Sequence, residues 1–138
     1  MSSKRQFAMR GYLVIRPNGG TTFIRGDKRL GGARMQSIIG GRLDYIALAP
    51  GLDMWIHDEG KFECDYNPAA TAIFERYLGE GDVVFGTVLL AGVDGEGAKI
   101  PLAPGVIRSL RAVAATADHA APAPDPNDYI GIRFIEMQ

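Results

Sequence analysis

The stretch "LDMWIHDEGKFECDYNPAATAIFERYLG", residues 52–79, decides the fold, because it contains both the strongest alternating pattern and the strongest helix signal in the chain. Its last part reads as a helix. Asn67 supplies a capping side chain, Pro68 fits the first helical position, and Gly79 supplies the stop. Ile73, Phe74, Tyr77 and Leu78 then form a stripe expected to pack on a sheet. Its first part reads as a β-hairpin, with "LDMWIH" and "KFECDY" alternating on either side of a "DEG" turn in which Gly60 takes a left-handed bulge. In that register Leu52, Met54, Ile56, Phe62, Cys64 and Tyr66 face inward, while Asp53, Trp55, His57, Lys61, Glu63 and Asp65 share the other face.

That second face draws attention for two reasons. The register sets Asp53 directly opposite Asp65, an arrangement that calls for a neutralising cation. It also leaves Trp55 outside the core. Three accounts are ranked in order: a helix or the C-terminal strand covers the face, with Arg76 or Arg133 against the aspartates; a second protomer or partner uses an interface of Trp55, His57 and Glu63; or Asp53 and Asp65, with Glu63 and His57, hold a divalent metal. Cys64 is expected as a small core residue, and Asp58 and Glu59 as turn residues.

Working outward, "YLVIRPNGGTTFIRG" reads as two strands about an Asn-Gly-Gly turn, "GARMQSIIGG" as a short helix closed by glycine, and "LDYIALAP" as a strand ending at Pro50. "DVVFGTVLLAGVDGEGAKIPL" reads as a long strand, a turn at Asp94-Gly95 and a short return. "GVIRSLRAVAAT" places Val106, Ile107, Leu110, Val113 and Ala114 on one helical stripe. The chain is expected to form one domain over residues 1–138: a possible tail at 1–10, a core at 11–102, a helix at 103–117, a Pro/Ala-rich linker at 118–128 and a C-terminal strand at 129–138. The fold class expected is α+β, a mostly antiparallel sheet of five to seven strands packed with two or three helices.

The 138 residues carry a formal net charge of -1, which conceals a polarity along the chain. Residues 1–42 hold nine Lys or Arg against one acid, and residues 43–138 hold six bases against fifteen acids. Arg16, Arg25, Arg34 and Arg42 are the candidates for binding an anionic small molecule, because guanidinium forks suit phosphate and carboxylate. A sequence pI near 6.1 and few aromatics among the N-terminal bases argue against nucleic acid. One cysteine and two histidines argue against a structural zinc site. "GVDGEG" at 92–97 is a turn rather than a phosphate loop, since Asp94 and Glu96 repel phosphate and no helix follows. With no apolar run long enough for a membrane span and no signal-peptide pattern, the expectation is a cytoplasmic protein with no cofactor and no membrane partner.

The sequence resembles the family catalogued as domain of unknown function 3846. The resemblance runs over about residues 12–102, through "YLVIRP", "MQSIIGGRLDYIAL", "HDEGK" followed by "NPAATAIF", and "DVVFGTVLLAG". The family shows an asparagine, two acids, glycine and lysine at the middle motif; here His57 replaces the asparagine and Asp58 one glutamate. The resemblance implies an origin in phages, plasmids or other mobile elements and no established activity. Together these readings favour a non-enzymatic, homo-oligomeric accessory protein that binds a host factor, with sequestration of a nucleotide-derived defence signal as its concrete version. The alternative is a protein-interaction or inhibitory module acting on a host enzyme, and the third reading is a metal-assisted hydrolase using Asp53, Glu63, Asp65 and His57.

Overall fold

The computed structural model describes residues 9–129. Among the described residues six strands form one antiparallel sheet: β1 (Gly11–Ile15), β2 (Thr21–Arg25), β3 (Leu43–Ala49), β4 (Leu52–His57), β5 (Val88–Val93) and the short β6 (Lys99–Ile100). Four helices accompany them: α1 (Gly32–Ile39), the single turn α2 (Gly60–Glu63), α3 (Pro68–Leu78) and α4 (Pro104–Ala114), with a 3-10 turn at Pro126–Tyr129. The strand order is β2-β1-β5-β4-β3, with β6 paired to β5. The expected α+β class with an antiparallel sheet is the one observed, and the helix beyond the expected number is the single turn α2.

The sheet is covered on both sides, which explains why β1 and β5 read as continuous apolar runs rather than alternating ones. One face carries Leu13, Ile15, Met54, Ile56, Val88 and Leu90 against Ala70, Ile73 and Phe74 of α3 and Ile107 and Leu110 of α4. The opposite face carries Tyr12, Val14, Ile24, Leu89 and Ala91 against Met35 and Ile39 of α1. Burial on this scale, at about 25 cal/mol per Å² of apolar surface, is the main favourable term in the fold. On α3 the buried side is Ala69, Ala70, Thr71, Ile73 and Phe74. Tyr77 and Leu78, expected on the packed stripe, are exposed together with the rest of the last turn, residues 75–78.

The expected hairpin across "DEG" does not form. Both edges of β4 are occupied, by β3 on one side and β5 on the other, so no edge is left for "KFECDY". Gly60–Glu63 instead makes one helical turn, and Gly60 has no left-handed backbone. Of the second proposed strand only an isolated Tyr66↔Phe85 bridge remains. All of the proposed C-terminal strand at 129–138 but Tyr129, which ends the 3-10 turn, and most of the proposed tail at 1–10 lie outside the described residues.

Asn67 fixes how α3 meets the sheet. It is fully buried, and its Oδ1 accepts the Ala70 amide at 3.0 Å as the helix cap. Its Nδ2 donates to the carbonyls of Ile15, at the end of β1, and Gly86, ahead of β5. Thr71 extends the network, donating to the Asn67 carbonyl and accepting the Val84 amide, both at 2.9 Å. A buried carbonyl stripped of its donor keeps its full desolvation penalty. Asn67→Ala is therefore expected to lower unfolding free energy by about 3 kcal/mol, combining a lost cap with two orphaned carbonyls. Asn67→Asp keeps the cap but loses both donors, and urea denaturation should show it at least as damaging at neutral pH; a loss below about 1 kcal/mol would remove the amide from this role.

Candidate functional site

A cavity of about 280 Å³ opens at the β3–β4 end of the sheet, and the short segments around it explain its shape. Its apolar wall is Ile46 of β3, Ile56 of β4, Phe74 of α3 and the segment Val83, Val84 and Phe85. Its polar rim is Asp44, His57, Asp58, Glu59, Lys61 and Asp82. Phe62 stands on the lip of this opening, 67% exposed, although the hairpin register had placed it in the core. The one-turn α2 turns it outward.

Close packing beneath α2 depends on two glycines. A Cβ on Gly60 would sit 2.6 Å from the Phe85 carbonyl oxygen, and one on Gly86 would sit 3.1 Å from Cys64 Cβ and Sγ. The strap 82–86 is held against α3 and the chain before it by three backbone contacts: Asn67 N–H to the Val84 carbonyl, Val84 N–H to Thr71 Oγ1, and Gly86 N–H to the Asp65 carbonyl. Lys61 donates to Asp82 Oδ1, and both side chains are nearly buried. The same Asp82 oxygen accepts the Val83 amide at 2.8 Å, so the carboxylate of this pair is well partnered.

His57 is 8% exposed and has one ring nitrogen hydrogen-bonded. Its Nδ1 accepts the Glu59 amide at 3.0 Å, which assigns the proton of the neutral ring to Nε2. Nε2 lies 3.5 Å from Glu63 Oε2 and packs on Gly41, where a Cβ would come within 2.3 Å of it. The ring thus latches β4 to α2 and to the residues before β3. Cys64 is half-buried, and its thiol is pushed up by burial first and by the Glu63 and Asp65 carboxylates next. It stays a thiol at neutral pH, a poor nucleophile.

The remaining sequence candidates fall in different places. Asp53 pairs across the sheet with Ala47 and Ala91, not with Asp65, which is exposed in the turn before α3. Loss of the hairpin therefore removes the carboxylate pair on which the metal proposal for Asp53 and Asp65 stood. Among the described residues no group of three or more His, Cys, Asp or Glu is suited to hold a metal ion. Trp55 is half-buried, its ring tilted at 40° to that of Tyr45 with centroids 5.1 Å apart, and it packs against the cluster under α1. Arg16 donates to Thr22, Arg25 pairs with Asp27 at 2.8 Å, Arg34 donates to the Arg29 carbonyl, and Arg42 lies 3.9 Å from Asp58. The four arginines belong to four segments with four different partners.

Sequence reasoning missed Phe62, Lys61, Asp82, Asp44 and Phe85 as neighbours of one opening. Nothing local announces them, because Asp82 and Phe85 reach the site only through the strap held by Asn67 and Thr71. A family model described as "Domain of unknown function (DUF3846)" matches residues 9–114, so the match takes in α4 as well as the sheet. No curated protein and no solved structure matches the chain.

Two outcomes follow from the titrating groups. Burial raises the Asp53 pKa, so the native state favours its protonated form, and the penalty of ionisation is present above the folded pKa and relieved as pH falls through it. Asp53→Asn is expected to gain about 1 kcal/mol at neutral pH, with the gain fading in denaturation curves taken through the acid range. Native Cys64 should react with iodoacetamide at least about tenfold more slowly than in the urea-unfolded chain at the same pH; equal rates would mean that the thiol is neither shielded nor shifted.

Proposed function

The chain belongs to the DUF3846 family, and from the opening beside α2 we propose that it is a non-enzymatic binding protein of a phage, plasmid or other mobile element, acting in the host cytoplasm on a host protein. The observation that carries this reading is the combination of an apolar-walled cavity with an exposed phenylalanine at its lip. A large side chain left in water beside a concave apolar surface is the arrangement found where a partner completes the packing.

The polar groups support binding over chemistry. Proton transfer needs a group with an uncommitted lone pair or proton facing the substrate. His57 has one nitrogen on the Glu59 amide and the other toward Glu63. Lys61 and Asp82 neutralise each other, and the Cys64 thiol resists ionisation.

A photo-crosslinking residue placed at 62 is expected to capture the host target, while one placed at Arg25 or Arg34 does not. Against the purified target, Phe62→Ala should weaken binding about tenfold or more without lowering Tm, since the ring contributes little to the fold. Capture from the arginine positions, with a nucleotide raising Tm in scanning fluorimetry, would overturn this reading in favour of an anionic ligand held by Arg16, Arg25, Arg34 or Arg42. Capture of a second copy of the chain through Trp55 would likewise move the working surface to the other face of the sheet.

A further inference from the structure

We infer that the cavity beside α2 receives a large apolar side chain of the partner protein, tip first, while a lysine or arginine next to it in the partner's chain stays at the rim against Asp58 and Glu59. This inference deepens the binding reading above and rests on it. The exposure of the lining sets the order in which an entering group meets the walls. Asp58 and Glu59 are exposed, as is Phe62 at the lip, whereas Ile56, Phe74, Val84 and Phe85 are each at most 7% exposed. A group entering from solvent therefore passes carboxylates first and comes to rest on hydrocarbon. A charge carried to that depth would lose its hydration against apolar walls. The one buried carboxylate among the lining residues, Asp82, is already held by Lys61 and the Val83 amide. The leading end of the occupant is therefore apolar.

Size and surrounding charge narrow it further. The cavity of about 280 Å³ is larger than the roughly 150 Å³ apolar cavity that takes up benzene, so it has room for one large side chain. The rings of Phe74 and Phe85 in the wall and of Phe62 at the lip favour an aromatic tip. Around the entrance the chain is acidic: Asp58, Glu59, Glu63 and Asp65 are all exposed. Lys61, the base among them, is held by Asp82, and the highly exposed Arg42 approaches Asp58 at 3.9 Å. Among the described residues Glu59 and Asp65 have no ion pair. The Cys64 thiol, which burial and then the Glu63 and Asp65 carboxylates push up, senses the same negative surroundings. A partner residue that stays at the rim is thus favoured when it is basic, and an acidic one is repelled.

The test uses the whole protein, isotopically labelled, in NMR titrations with N-acetyl Lys-Phe-Lys amide, the same peptide with Ala in place of Phe, the same peptide with Glu in place of both Lys, and phenethylamine as a free aromatic amine. Saturable shifts for Lys-Phe-Lys confined to residues 44–46, 56–63 and 82–85 are expected, with the Ala peptide at least about tenfold weaker. The Glu peptide should bind several-fold more weakly at low salt and converge on Lys-Phe-Lys as salt is raised. Asp58→Asn with Glu59→Gln should weaken Lys-Phe-Lys several-fold and flatten its salt dependence, with an unchanged Tm because both residues are exposed. Equal binding of the Ala peptide would overturn the apolar tip, and equal binding of the Glu peptide at low salt would overturn the basic neighbour. Tighter binding of phenethylamine would overturn a partner's side chain as the occupant. Shifts in none of these segments for any probe would overturn the inference as a whole. The photo-crosslinking residue at 62 then separates it from the binding reading beneath it: capture of the host target leaves that reading standing, and no capture overturns it as well.

Discussion

The buried amide of Asn67 is the interaction on which the rest of the arrangement depends. An amide presents donors on one side and an acceptor on the other, and here each side meets a different part of the chain. The acceptor starts α3, while the donors tie the end of β1 to the strap before β5. Neither Asp nor Ser combines an N-cap acceptor with two donors, so the position asks for this residue by its hydrogen-bond inventory rather than its size. With Thr71 satisfying Val84, a non-sheet segment crosses the core edge without leaving its buried amide unpaired.

From that tie the opening follows by close packing. The strap holds Phe85 near enough to α2 that only glycine fits at 60, and holds Gly86 against Cys64. His57 fixes the other side, wedged on Gly41 and latched to the Glu59 amide. Three glycines and one histidine thus set the walls within van der Waals contact. Lys61 and Asp82 join the short helix to the strap with an ion pair that both ends keep largely out of water. The opening's most exposed large apolar group is the ring of Phe62.

Local signals made much of this legible. The turn at Asn18-Gly19-Gly20, the glycine stop after Ile39, the cap at Asn67 and the return after Asp94 were readable because each depends on a few neighbouring residues. The hairpin failed for the opposite reason. The pattern of "KFECDY" satisfies period two, but a strand needs a free edge, and whether β4 has one is decided by β3 and β5, which are paired by the global topology. Trp55 was correctly separated from Met54, and it packs against the cluster that includes Met35 and Ile39 of α1, a helix the hairpin argument had no means to place. The capping role of Asn67 was legible; its two donor bonds were not, because Ile15 lies 52 residues away in sequence.

The charge polarity along the chain gains its meaning from the same topology. The arginine-rich first part folds into β1, β2 and α1, where its guanidinium groups meet Thr22, Asp27 and the Arg29 carbonyl, each a near neighbour in sequence. The opening is lined only by residues from 44 to 85, within the acidic part of the chain. A net charge near zero thus divides into a basic surface over the β1–β2 hairpin and α1 and an acidic opening at the β3–β4 end. Of the four arginine candidates only Arg42 approaches the opening, 3.9 Å from Asp58 on its rim, and the other three lie on the β1–β2 hairpin and α1.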